Sequence, residues 1–323
     1  MKKILQYTVS LVLAGALLWF VFKDISLSEM LDQFANADYR WLLLSALFAM
    51  TAHVSRAARW RILMKPLGYQ PSLFNTTLAI FIGYFANYII PRMGEVSRCG
   101  SLRKTDNIPF EKSFGTVLTE RIFDLISLLI VLTLNLIFEF NKLQNFFMEQ
   151  FASKVYILLG LLAFLFVGGI VGIYFFRKYQ EQLSTVPFLS KIITFINGLL
   201  DGLMSVRHLE NPIAFVVYSI TIWVMYLLSA YVLFFAIPQT AHLGLLAGLT
   251  VLTMGSFGMA APTQGGIGPF HFLVGNALVL YGLPQKDGIM LATFIHGSQM
   301  ITLLALGALS FLITLFIKPK TND

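Results

Sequence analysis

The stretch NYIIPRMGEVSR, Asn87 to Arg98, sets two guanidiniums, Arg92 and Arg98, on either side of the Glu95 carboxylate. Pro91 and Gly94 break any helix entering it, since proline lacks a backbone donor and glycine lacks a Cβ. Guanidinium stays charged and offers paired donors, so the chemistry to expect is recognition of a carboxylate or phosphate. Further along, TERIFDLISLL places Glu120 and Asp124 four residues apart on one helical face, with Arg121 beside them. Asp124 runs straight into apolar sequence, where an ionisable group is costly unless it is paired or faces a polar cavity.

Three readings of these charges stay open. Glu95, Glu120 and Asp124 can neutralise Arg92, Arg98 and Arg121 and pin a loop to a helix. At least one arginine can instead remain free to meet a phosphate, with the carboxylates positioning it or carrying a proton. The arginines can also be mere markers of membrane orientation. Arg56, Arg59 and Arg61 end another apolar run. The plain reading there is snorkelling at the membrane edge, with Arg56, the deepest, the one to suspect of facing a cavity.

A second interruption, AAPTQGGIGPFHF from Ala260 to Phe272, has no carboxylate. Pro262, Gly265, Gly266 and Gly268 there make either a tight turn between two half-helices or a cluster of free backbone N–H groups able to face an anion. The five histidines form no metal-ligand pattern, and His53 and His296 fall within apolar runs, where hydrogen bonding inside a bundle is expected. There is no nucleotide-binding loop, nucleophile elbow or acidic metal motif, and Cys99 is the single cysteine. The expectation is no metal, no cofactor and no catalytic site.

The elements that must position these groups follow from composition. Of 323 residues, 57% are hydrophobic and 12% charged, with a mean hydropathy of +0.76, about half the charge of a soluble domain. This predicts one all-α membrane domain over 1–323. Six runs are long enough to cross, about 4–22 (a retained signal anchor), 41–62, 122–140, 155–176, 212–236 and 289–317. Two more, about 72–90 and 244–283, are broken or re-entrant. Pro109 should open one helix running into the 122–140 crossing. The amphipathic pattern at 186–207 predicts a helix along the interface.

With both termini in the cytoplasm, eighteen of the 23 basic residues fall on that side and five outside. The net charge of +7 is thereby assigned to orientation, not nucleic acid. The two broken segments then enter from opposite sides. Both read G-x-F, a short apolar stretch, then P-x-x-G, from Gly83 to Gly94 and from Gly255 to Gly265. Paired interrupted segments of opposite orientation predict inverted repeats over 41–140 and 212–317.

The three stretches PRMGEVSRCGSL, FGTVLTERIFDLISL and PTQGGIGPFH, in this order, resemble the lysylphosphatidylglycerol synthase transmembrane region, a flippase-like family, over about residues 5–315. The resemblance implies a polytopic domain that moves lipid between leaflets. It carries over the motif positions Gly94, Glu95 and Arg98, then Glu120, Arg121 and Asp124, then Pro262, Gly265, Gly266 and Gly268. His271 stands where many relatives have a glutamate. Two-domain relatives add a cytosolic aminoacyl-transferase, which this sequence is expected to lack. The expectation is therefore a flippase or carrier of the cytoplasmic (inner) membrane, not an enzyme. It would take an anionic phospholipid or lipid-linked intermediate, with Arg56, Arg92, Arg98 and Arg121 against the phosphate. The alternative is a non-transporting scaffold or accessory partner of a lipid- or glycan-modifying enzyme.

Overall fold

The computed structural model describes residues 27–90, 93–140, 209–261 and 263–317, with a few isolated positions between 167 and 207. Every regular element among them is helical: α1 (Leu27–Ala35), α2 (Tyr39–Met64), α3 (Leu73–Ile89), α4 (Gly94–Asp106), α5 (Phe110–Phe138), α6 (Pro212–Val232), α7 (Leu245–Ala260), α8 (Pro269–Val279) and α9 (Gln285–Phe316). Helices α2, α5, α6 and α9 are long and apolar enough to cross a membrane. They correspond to four of the six expected crossings. The crossings expected at 4–22 and 155–176, and the interfacial helix at 186–207, lie outside the continuously described stretches. Pro91, Arg92 and Pro262 also lie outside the described residues.

Helix boundaries follow local chemistry. The Asp38 carboxylate accepts from Arg40 N–H and starts α2, Ser72 caps α3 through Asn75 N–H, and Asn211 caps α6 through Ala214 N–H. Helix α3 stops at Ile90, whose extended backbone (φ −132°, ψ 117°) is what a residue before proline adopts. Asn107 takes the left-handed conformation (φ 54°) that closes α4. Pro109 and Pro284 stand just before α5 and α9. Pro109 is thus the cap residue, one position ahead of the expected first turn.

Helices α3, α7 and α8 are each too short to cross alone and fold as two hairpins, α3–α4 and α7–α8. Each hairpin closes where small residues let backbones touch. At Gly94, a Cβ would lie 2.5 Å from both Asn87 Nδ2 and Gly83 O; at Gly258, 2.5 Å from Phe270 Cα. The hairpin tips meet each other, because a Cβ on Gly265 would lie 2.5 Å from the Tyr88 ring.

Helices α2 and α6 pack antiparallel, tied by reciprocal bonds in which Ser45 Oγ donates to Ser229 O (2.8 Å) and Ser229 Oγ to Ser45 O (3.1 Å). Helix α9 lies along α3 and α8, and Gly307 leaves room for Phe85 and the Phe81 carbonyl. One apolar cluster, around Phe234, Met254, Val274 and Leu291, holds the α7–α8 half. A second, around Trp60, Ile80, Leu102 and Val117, holds the α3–α4 half. These two cores leave a polar seam and a cavity between them.

Candidate functional site: an arginine–carboxylate cluster beside a cavity

The seam is built from α2, α4 and α5. Glu120 is fully buried on α5, and three guanidiniums converge on it. Arg98 Nη1 donates to Oε2 at 2.8 Å, while Arg56 Nε and Arg59 Nη2 (3.4 Å) donate to Oε1. One turn on, Asp124 receives Arg59 Nη2 at 2.6 Å and Arg56 Nη2, with Arg121 Nη1 at 3.6 Å. Arg121 Nη2 also donates to Glu95 Oε1 at 2.8 Å. The four-residue spacing read from the sequence therefore presents both carboxylates to the same arginines.

Four guanidiniums here meet three carboxylates, leaving one positive charge in excess among the described residues. Burying such charges is tolerable only because each is paired and hydrogen-bonded. Further contacts hold the arginines in place. Arg98 lies over the Trp60 ring (4.7 Å to its centroid), whose Nε1 donates to Thr116 Oγ1 at 2.8 Å. Arg59 Nη1 donates to Ser219 Oγ at 3.2 Å, and Arg56 Nη1 to Tyr226 OH at 3.3 Å. Arg98 keeps two buried N–H groups, at Nε and Nη2, without a partner among the described residues.

The snorkelling reading of Arg59 is corrected by this arrangement. Its side chain is fully buried and paired with both α5 carboxylates, because α6 and α5 cover the α2 face it shares with Arg56. Arg61 is satisfied by the Pro71 carbonyl at 2.8 Å. Arg56 does line the cavity. Arg121 is the most accessible of the four guanidiniums in the cluster, its side chain 46% exposed.

The cavity encloses about 410 Å³, within the range of small-molecule sites. Arg56, Arg121, Asp124, Tyr84 and Tyr226 line its charged end. Much of the remaining wall is apolar, and it includes Leu125 and Met259, which are 53% and 43% exposed. The cavity thus reaches the apolar outer surface of the protein.

Similarly placed positions around the two broken segments line this wall. Tyr84 and Ser256 each follow the glycine of their G-x-F motif, while Asp124 and Gln299 each stand fifteen residues past the proline before their helix. Leu128 and Leu303 match in the same way.

The second broken segment holds its turn through backbone and histidine contacts. Gly265, Gly266 and Gly268 have φ of 57°, 76° and 93°, conformations that favour glycine. His296 Nε2 donates to the Gly265 carbonyl at 2.8 Å, and Gly268 N–H donates to His271 Nδ1 at 3.3 Å. No described carboxylate joins it. His53, on α2, instead packs beside Tyr84 and Tyr226 at the cavity. Neither histidine contact at the glycine turn is legible in spacing alone; what the sequence offers is a polar residue inside an apolar run. No group of three or more potential metal ligands occurs among the described residues.

Comparison with known proteins places this architecture. The family model for the lysylphosphatidylglycerol synthase TM region matches residues 7–307. A UPF0104 membrane protein of Methanocaldococcus jannaschii is 27% identical over 194 residues, 59% of this chain and 55% of its own length. A UPF0104 membrane protein of Pyrococcus horikoshii is 26% identical over 197 residues, with the same coverage of both chains. The chain thus spans about half the length of these relatives. The glycosyltransferase AglD of Haloferax volcanii is 30% identical over 102 residues, 31% of this chain and 16% of that protein. No solved structure matches. The family match takes in both hairpins and the whole arginine–carboxylate cluster, and the chain belongs to the family of the lysylphosphatidylglycerol synthase transmembrane region.

Proposed function

We propose that this membrane protein carries an anionic lipid, a phospholipid or lipid-linked intermediate, between the two leaflets of the cytoplasmic membrane. One observation carries the reading: a headgroup-sized cavity has an arginine-lined end with one excess positive charge and an apolar wall reaching the protein's outer surface. A charged headgroup needs a lined path because an unpaired charge in hydrocarbon is costly. Its acyl chains can stay in the bilayer alongside Leu125 and Met259. Arg121 meets the phosphate first, Arg56 stands behind it, and Arg98 holds Glu120 in place. The positive-inside count supports termini and charged end in the cytoplasm. The matched cavity positions support the inverted repeat, with the two hairpins as gates from opposite sides.

Native mass spectrometry of the detergent-purified protein tests this, comparing wild type with Arg121→Ala and Arg98→Ala. The expected result is a co-purifying anionic lipid whose retention falls about tenfold or more in Arg121→Ala, the loss of a charged hydrogen-bond pair. Equal retention in all three proteins refutes the site. The AglD match, to a protein named as a glycosyltransferase, favours a second reading: a non-transporting partner of a lipid- or glycan-modifying enzyme. Stoichiometric co-purification of such an enzyme, with no lipid movement in vesicles holding this chain alone, would select it.

A further inference from the structure

Gln299 is the second half's counterpart of Asp124, and it lines the same cavity. Asp124 is held by Arg56, Arg59 and Arg121, whereas the Gln299 amide makes no hydrogen bond among the described residues. It stands part-exposed on the cavity wall, in an otherwise strongly apolar crossing helix. Ser298 and Thr302 flank it on the cavity wall. Their hydroxyls donate back to the Ile295 and Ser298 carbonyls, both at 2.8 Å, so each oxygen remains able to accept. This wall is neutral and offers both donors and acceptors. Arg56 and Arg121 line the same cavity and make its cationic end.

We propose that Gln299, with Ser298 and Thr302, binds the uncharged hydroxyl-bearing part of a headgroup whose phosphodiester sits against Arg121 and Arg56. This rests on the lipid-carrier reading above and narrows its substrate. Among the described residues, the one excess positive charge of the cluster matches the single charge of a phosphodiester. Glu95, Glu120 and Asp124 are all engaged by guanidiniums, so none is left to receive an ammonium. An ethanolamine or aminoacyl headgroup would bring a second cation to a site already in excess. A glycerol- or sugar-type headgroup brings hydroxyls, which an amide can serve as donor and acceptor at once.

The test pits phosphatidylglycerol against phosphatidylmethanol, an equally charged phosphodiester with no hydroxyl, and against phosphatidylethanolamine. Each is added at equal concentration to delipidated protein, and retention is read by native mass spectrometry. Wild type should prefer phosphatidylglycerol to phosphatidylmethanol by roughly tenfold, the worth of one or two added hydrogen bonds. Gln299→Leu, and Gln299→Met as a second variant of similar length, should bring that ratio to about one by deleting the same bonds. Both should keep wild-type retention of phosphatidylmethanol, which also reports that they are folded. Equal retention of the two anionic lipids by wild type overturns the proposal. So does a preference that survives both variants, or phosphatidylethanolamine as the favoured lipid. If wild type retains none of the three, the phospholipid form of the carrier reading fails and this inference fails with it. Where wild type retains phosphatidylmethanol and Arg121→Ala, measured alongside, loses it, the carrier reading stands while this inference falls, so the two failures are distinct.

Discussion

Replacing Glu120 with glutamine deletes the carboxylate charge that three guanidiniums share while keeping the side-chain shape. Glu120 is fully buried, Arg59 is fully buried, and the Arg98 and Arg56 side chains are 5% and 8% exposed, so solvent screens little of the interaction. Removing one member of a buried pair costs about 3–5 kcal/mol, because the remaining charge is stranded. For a chain of this size that corresponds to a melting temperature lower by on the order of 10 °C. Cys99 supplies the assay. It is the single cysteine and is fully buried, so a thiol-reactive dye reports unfolding in detergent without engineering. Arg59→Gln together with Glu120→Gln rebalances the charge, so the double variant should lose about 0.5–3 kcal/mol less than the two single losses added. A Glu120→Gln protein melting within about 2 °C of wild type, or strict additivity in the double variant, would refute the claim that this cluster is a coupled buried network.

Two smaller predictions concern the hairpins and the thiol. Gly265→Ala must place a Cβ against Tyr88 in a left-handed backbone and should cost about 1–3 kcal/mol; Gly68→Ala, left-handed but in open space, should cost less, and thermal unfolding of both checks the ranking. Burial pushes the Cys99 thiol up to about 11, so its reactive thiolate is scarce at pH 8 and grows only as pH rises toward that value. Folded protein should therefore resist maleimide at pH 8 over a time in which SDS-denatured protein labels fully, as mass spectrometry would show.

Much of the scaffold was legible because lipid imposes length and hydropathy on a crossing helix. Tyr39–Met64, Phe110–Phe138, Pro212–Val232 and Gln285–Phe316 all announce themselves that way, and the two breaks announce themselves through proline and glycine. The pairing of charges was only half legible. Spacing put Glu120 and Asp124 on one face, but nothing local says that Arg59 turns inward, because its partners lie 61 and 65 residues away on another helix. At the end of an apolar run, a buried arginine and a snorkelling one have the same sequence signature. Gln299 was missed for a related reason. Its signal is its distance from Pro284, which means something only once Asp124, at the same distance from Pro109, is seen to line the same cavity.

The cross-helix character of the arginine cluster also bears on how the chain enters the membrane. Arg56 and Arg59 sit on α2, the least hydropathic of the four long spans, and leave the ribosome before the α5 carboxylates that neutralise them. At about 5–20 residues per second, that separation is a wait of several seconds. During it, both arginines lack their carboxylate partners, which is costly for a charge drawn below the membrane surface. The buried pairing of α2 with α5 can therefore be completed only once α5 has been made, which makes the final packing of these two helices a joint step.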